Sequence, residues 1–81
     1  MSAANPLICA VNSTTLFTSN AVHTFLAKTA GTITIKRSTG VTVLDAFPVT
    51  AGQWIELEMN VDPNGGSIET AGGASGTLTL Y

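Results

Sequence analysis

The sequence predicts an all-β domain, a small β-sandwich or jelly roll of about seven to eight short antiparallel strands. Three observations carry that expectation: apolar and polar residues alternate in the clearest periodic stretches, breaks rich in Gly, Asn, Ser and Pro separate them, and no stretch holds a convincing helical period. With 81 residues there is room for one hydrophobic core. Residues 6–81 are therefore expected to form a single domain, with residues 1–5 as a short N-terminal arm.

Leu7 to Val11 is continuously apolar, as in a strand covered on both faces, and Leu16-Phe17 supplies the next short strand. Val22 to Lys28 is read as a strand as well. The stretch Val22 to Ala30 could hold about two helical turns, but its β-branched and aromatic residues favour extension. Thr32-Ile33-Thr34-Ile35-Lys36 and Val41-Thr42-Val43 both alternate, and Arg37-Ser38-Thr39-Gly40 between them is a short loop of turn formers, which together predict a hairpin. The strongest period is Trp54 to Val61, with Ile55, Leu57, Met59 and Val61 on one face and Glu56, Glu58 and Asn60 on the other. Asp62-Pro63-Asn64-Gly65-Gly66 then reverses the chain, because Pro fixes φ at the second position while Asn and Gly tolerate positive φ. Ile68 to Thr70 and Thr77 to Tyr81 complete the strands.

One tripeptide recurs as Thr29-Ala30-Gly31, Thr50-Ala51-Gly52 and Thr70-Ala71-Gly72, which suggests turns of one design between strands. The irregular spacing argues against a repeat protein. The expected interior is Ile33, Ile35, Val41, Val43, Ile55, Leu57, Met59, Leu78 and Leu80.

Composition narrows the function. The chain is 44% hydrophobic and only 10% charged, against roughly 25% charged residues in an average domain. Some uncharged surface is therefore expected to lie against another subunit or partner. Cys9 is the single cysteine, so no bridge closes within the chain, and no His/Cys cluster offers a zinc site. Oligomerisation is the remaining way to reinforce so small a core. Lys28, Lys36 and Arg37 are the only cations, too few to neutralise a run of phosphates, so nucleic acid is not expected as a partner. No apolar run approaches the roughly 20 residues of a membrane helix. The N-terminus does not read as a secretory signal, so synthesis and folding in a cytoplasm are expected, and Asn12-Ser13-Thr14 is then an accidental glycosylation pattern.

No residue set reads as catalytic, metal-binding or cofactor-binding. Glu56 and Glu58 stand about 7 Å apart on one strand face, within reach of a glycosidase pair, but there is no loop long enough to wall a substrate groove. A solvated strand face is the expected reading. His23 is the only histidine and no nucleophile motif accompanies it. Cys9 sits in an apolar run that would raise its pKa and leave it an inert small hydrophobe. Gly72 to Gly76 lacks the Lys and following helix of a phosphate loop and reads as a flexible loop.

Trp54 is the residue to watch, since the register that buries Ile55 and Leu57 puts it outward with Glu56 and Glu58. It is read as tucked beneath a loop of its own subunit, as a subunit or partner contact, or as a platform for stacking sugars. Phe47, with Pro48, and Tyr81 would extend that surface. Leu7 and Ile8 complete the residues expected at an interface.

The segment from His23 to Tyr81, with TAGTITIKRSTG, VLDAFPVTAGQWIELEMNV and the closing GTLTLY, resembles the small β-sandwich structural proteins of tailed bacteriophages. The capsid decoration, or cement, proteins are the nearest in function. That resemblance implies a virion protein without cofactors, made in the host bacterial cytoplasm. It also implies a homotrimer that clamps neighbouring copies of the major capsid protein. An N-terminal arm that adds a strand to the shell is common in such proteins, and here residues 1–5 would have to serve. A head-fibre, tail or spike component is the alternative within the same kind of virus, and a small carbohydrate-binding module the alternative outside it.

Overall fold

A computed structural model describes residues 6–81; the expected arm at 1–5 lies outside the described residues. Eight strands follow in order: β1 (Leu7–Cys9), β2 (Thr14–Phe17), β3 (Ala21–Thr29), β4 (Gly31–Arg37), β5 (Thr42–Val49), β6 (Trp54–Asn60), β7 (Gly66–Ala71) and β8 (Ser75–Leu80). They form two four-stranded sheets, β1-β8-β3-β6 and β2-β7-β4-β5. Every pairing is antiparallel.

The strand partners explain the topology. β4 pairs with β5, β3 with β6, β2 with β7 and β1 with β8, as in one long hairpin folded at its middle and rolled up. Rolling adds the contacts of β3 with β8 and β4 with β7, which close each sheet. That connectivity is a jelly roll. Arg37 to Val41 turns the one connection that stays within a sheet, with Gly40 N–H donating to Arg37 O at 2.9 Å and Arg37 N–H to Val41 O at 2.8 Å. Every other connection passes from one sheet to the other.

Phe25, Ile33, Ile35, Ile68, Leu78, Val22, Thr70 and Cys9 are the largest fully buried side chains. Of the expected interior, Ile33, Ile35, Ile55, Leu78 and Leu80 are buried, and Val43, Leu57 and Met59 pack against the core while partly exposed. Val41 is the exception. It lies at the hairpin end before β5 begins and is 55% exposed. A register shift between Ile35 and Lys36 breaks the simple alternation there.

Two expectations about loops are corrected. Gly72 to Gly76 is not a flexible loop: Ser75 and Gly76 belong to β8, and the turn before them is tied down on three sides. Gly73 N–H donates to Asn12 Oδ1 at 3.0 Å, Thr29 Oγ1 donates to Gly73 O at 2.6 Å, and Ala74 N–H donates to Ala71 O at 3.2 Å. The recurring tripeptide does not build three equal turns either. Ala51-Gly52 is a turn, and Gly72 opens one at the end of β7, whereas Gly31 starts β4 directly after the corner at Ala30.

β1 is shorter than the apolar run that predicts it, and it is covered on one face only. Leu7 and Cys9 point into the core while Ile8 is exposed, because only one face of the sheet packs against the other sheet. Thr70, buried in β7, holds the segment after β1: its hydroxyl donates to Ala10 O at 2.6 Å and accepts from Ser13 N–H at 3.0 Å. A hydroxyl inside a core needs such partners, and here they fix the corner between β1 and β2.

Edge strands are blunted by other means. β5 carries Pro48, which an edge position tolerates, and a bulge where Asp45 and Ala46 oppose Thr34, with Ala46 at φ +45°. β6 carries a second bulge, where Leu57 and Glu58 oppose His23, with Glu58 at φ +47°. Such bulges twist an edge away from further pairing.

Candidate interaction face

The outer face of the β1-β8-β3-β6 sheet gathers most of the exposed apolar side chains. Its order follows from the register. Ile8 pairs with Thr77, Thr77 with Leu26 and Leu26 with Trp54. These residues form one row across all four strands on the side away from the core, because their neighbours Leu78, Phe25 and Ile55 point inward. Ile8 is 70%, Leu26 39% and Trp54 60% exposed. Trp54 is therefore not tucked beneath a loop of its own subunit.

On one side of this row β3 presents Lys28, and on the other side Thr24 pairs with both Thr79 and Glu56. An open depression of about 340 Å³ lies over Gly76 and Thr77, between Ile8 and Lys28. Beyond Glu56, at the β6 bulge, His23, Glu58 and Tyr81 meet. His23 Nδ1 contacts Glu58 Oε1, the Tyr81 hydroxyl donates to Glu58 Oε2, and the His23 and Tyr81 rings stand 4.9 Å apart between centroids. The Glu58 carboxylate, by accepting that hydroxyl, holds the Tyr81 phenol above its ordinary value, and desolvation and the carboxylate's charge push the same way. Glu58 Oε2 is paired by the Tyr81 hydroxyl, while the buried His23 Nδ1 lies against Glu58 Oε1 without a hydrogen bond of normal geometry.

Of the other residues expected at an interface, Ile8, Trp54 and Tyr81 are exposed on this sheet or at its end. Leu7 is not. It is buried, since it sits one residue from Ile8 and the alternation of β1 turns it into the core. Phe47, on β5 of the opposite sheet, is partly buried and packs on the core. Leu26 belongs to the face and carried no sequence signal beyond its place in a strand.

The opposite sheet has a smaller exposed patch. Leu16 pairs with Ser67, which pairs with Lys36. Leu16 is 74% exposed, and Lys36 and Arg37 border an open depression of about 430 Å³ beside it. The cations Lys36 and Arg37 thus lie on this sheet, and Lys28 on the other.

Cys9 borders the depression beside Ile8, but its side chain is almost wholly inside the core. Its thiol is buried, and burial raises its pKa from 9.0 to about 11, a hydrogen bond from the Leu78 backbone opposing weakly. The folded value exceeds the unfolded one, so the contribution of the neutral thiol to stability is present below pH 9.0 and is lost as pH rises through about 11. At mildly alkaline pH the native thiol is expected to react with a nitrobenzoate disulfide roughly 100-fold more slowly than in urea. Equal rates in the two conditions would contradict the buried placement.

Among the described residues, no group of three or more His, Cys, Asp and Glu side chains stands close enough to hold a metal ion. No helix there is long and apolar enough to cross a membrane. No protein-family model matches the chain, and neither the curated proteins nor the solved structures give a match.

Proposed function

We propose that the chain is a structural protein of a tailed-bacteriophage particle, a capsid-decorating subunit that binds the assembled head and stabilises it. The observation that carries this reading is that exposed apolar side chains stand on both sheets, Ile8, Leu26 and Trp54 on one and Leu16 on the other, in a domain with few charges. Clustered exposed apolar side chains mark a protein contact. The second patch, at Leu16, Lys36 and Arg37, lies on the other sheet, so one subunit can touch two neighbours at once. A protein that binds only the assembled shell stabilises it by mass action, through many copies of one modest contact. The jelly roll adds support by analogy, since capsid proteins use it often, although lectins use it as well.

Carbohydrate binding is the second reading, favoured by an exposed Trp54 beside Thr24, Thr79 and Glu56. Ile8 and Leu26 weigh against it. Aliphatic side chains in the same row offer a sugar neither a stacking ring nor a hydrogen bond.

Gold-labelled antibody raised against the purified chain, applied to virus particles from the source culture, is expected to decorate their heads. Label confined to tails or fibres would move the protein to those parts. Unlabelled particles, with the chain free in the lysate and bound to a glycan array, would replace the reading by the carbohydrate one.

A further inference from the structure

The outer face of the β1-β8-β3-β6 sheet carries a row of mostly apolar exposed side chains with Lys28 on one side and Glu56 on the other. We propose that it is the contact between two copies of the chain, related by a two-fold axis that runs along the row Ile8–Thr77–Leu26–Trp54. The inference goes beyond the capsid reading and does not depend on it, because it concerns what one copy presents to another.

The charges stand on opposite sides of the row. Lys28 lies two residues beyond Leu26 on β3, to one side of the row. Glu56 lies two residues beyond Trp54 on β6, and because β6 runs antiparallel to β3, it falls on the opposite side, level with Thr24. Lys28 is the only cation on this sheet, since Lys36 and Arg37 belong to β4 of the other. A two-fold axis along the row exchanges its two sides while keeping each strand over its own copy. Lys28 of one subunit then comes over Thr24 of the other, one strand spacing, about 4.8 Å, from Glu56. Facing sheets stand about 10 Å apart, a gap that a lysine and a glutamate reaching from opposite sides close. Symmetry makes this pair twice.

The apolar row meets itself under the same operation. Trp54 lies over Trp54 of the second copy, Leu26 over Leu26 and Ile8 over Ile8, with Thr77 between them. Water leaves the row in both subunits at once, and the two ion pairs flank the dry strip on either side. The other axis lying in the face, along the strands, would bury the same row but set Lys28 opposite β8 and Glu56 opposite β1. Neither charge then meets its opposite, and covering unpaired charges is costly. Charge position therefore selects the axis along the row.

The closure that results is a pair rather than the trimer implied by the bacteriophage resemblance. A three-fold contact joins two unlike patches, whereas this face is its own complement. Glu58, His23 and Tyr81 lie further out at the β6 bulge and contact one another. They form the polar rim of the contact rather than its centre.

Sedimentation equilibrium of the purified chain tests this directly. The expected mass is twice that of the 8.3 kDa chain. Lys28→Glu and Glu56→Lys alter exposed side chains and leave the fold intact by circular dichroism, yet each sets like charges together and is expected to weaken pairing by roughly 100-fold. Trp54→Ala is expected to weaken it by about 30-fold. The decisive measurement is the rescue. The double variant Lys28→Glu/Glu56→Lys pairs again, and the two single variants, each monomeric alone, pair when mixed, since each then offers the charge the other lacks. A monomeric or trimeric wild type, or a dimer indifferent to both reversals, would overturn the inference. So would single variants that stay apart on mixing. Head labelling by antibody is a separate measurement, so failure of the capsid reading and failure of the pairing face are told apart.

Discussion

Phe25→Ala is expected to lower the free energy of unfolding by about 3–5 kcal/mol, the largest effect of any side-chain truncation in this domain. Phe25 is fully buried in β3, the strand that pairs with both β8 and β6 and so holds its sheet together. Its ring also lies against the backbone of β8 at Gly76, where an added Cβ would sit 2.7 Å from the Phe25 Cζ. Backbone so close cannot collapse far into the space the ring leaves, and an unrelaxed cavity is the costly kind. A domain of this length has a total stability of roughly 4–12 kcal/mol, so the loss is a large part of the whole. Urea unfolding followed by far-ultraviolet circular dichroism measures it. Phe25→Leu keeps most of the volume and is expected to cost about 1–2 kcal/mol. An alanine variant as stable as the leucine variant would mean that the ring is not the keystone of this core.

Phe25 also shows what the sequence could and could not reveal. The strand around it was legible, because Val22, Thr24 and Phe25 favour extension over the two helical turns that the segment could hold. Its place at the centre of the core was not legible, since β3 lacks clean alternation. Val22, Thr24 and Phe25 are all buried, and His23 bulges between them where the register of both neighbouring strands shifts. β1 failed for a related reason. Five apolar residues from Leu7 to Val11 look alike in sequence, but the sheet they join has only one covered face, which separates Leu7 and Cys9 from Ile8. Beyond Val43, β5 was hidden by Pro48 and by the bulge at Asp45-Ala46, both of which break the pattern while leaving an edge strand intact.

The interaction face was half legible. Alternation in β6 placed Trp54 outward with Glu56 and Glu58, and the exposure of all three agrees. Its neighbours across the sheet could not be read, because Ile8, Leu26 and Trp54 come from β1, β3 and β6 and meet only through the order β1-β8-β3-β6. Strand order in a jelly roll is long-range information. Local period fixes which side of a strand a residue faces, and the rolling of the hairpin decides which strands share that side.

The corner between β6 and β7 gives the second large effect: Gly65→Ala is expected to destabilise the domain by about 3 kcal/mol or more. Two separate penalties meet there. Gly65 has φ +85°, a conformation in which a side chain is strained. An added Cβ would also lie 2.1 Å from Phe17 O and 2.7 Å from Thr18 Cα, both backbone atoms that no rotamer change can move. The turn cannot shift to make room, because Gly65 N–H donates to Asp62 O at 2.8 Å and Gly65 O accepts from Ser38 N–H at 3.2 Å. Asp62 is held in turn by Asn64 N–H at 2.9 Å and by the Ser38 hydroxyl at 3.0 Å. Making space therefore means moving the end of β2 and, with it, the buried Phe17. Gly40→Ala separates the two penalties: Gly40 has φ +92° but nothing within 4 Å of an added Cβ, so it carries the conformational strain alone, about 1 kcal/mol. Chemical denaturation of both variants compares them directly. Equal losses would show that β2 yields to the new methyl group and that close backbone contact does not hold this corner. A loss at Gly65 larger by about 2 kcal/mol would show that it does.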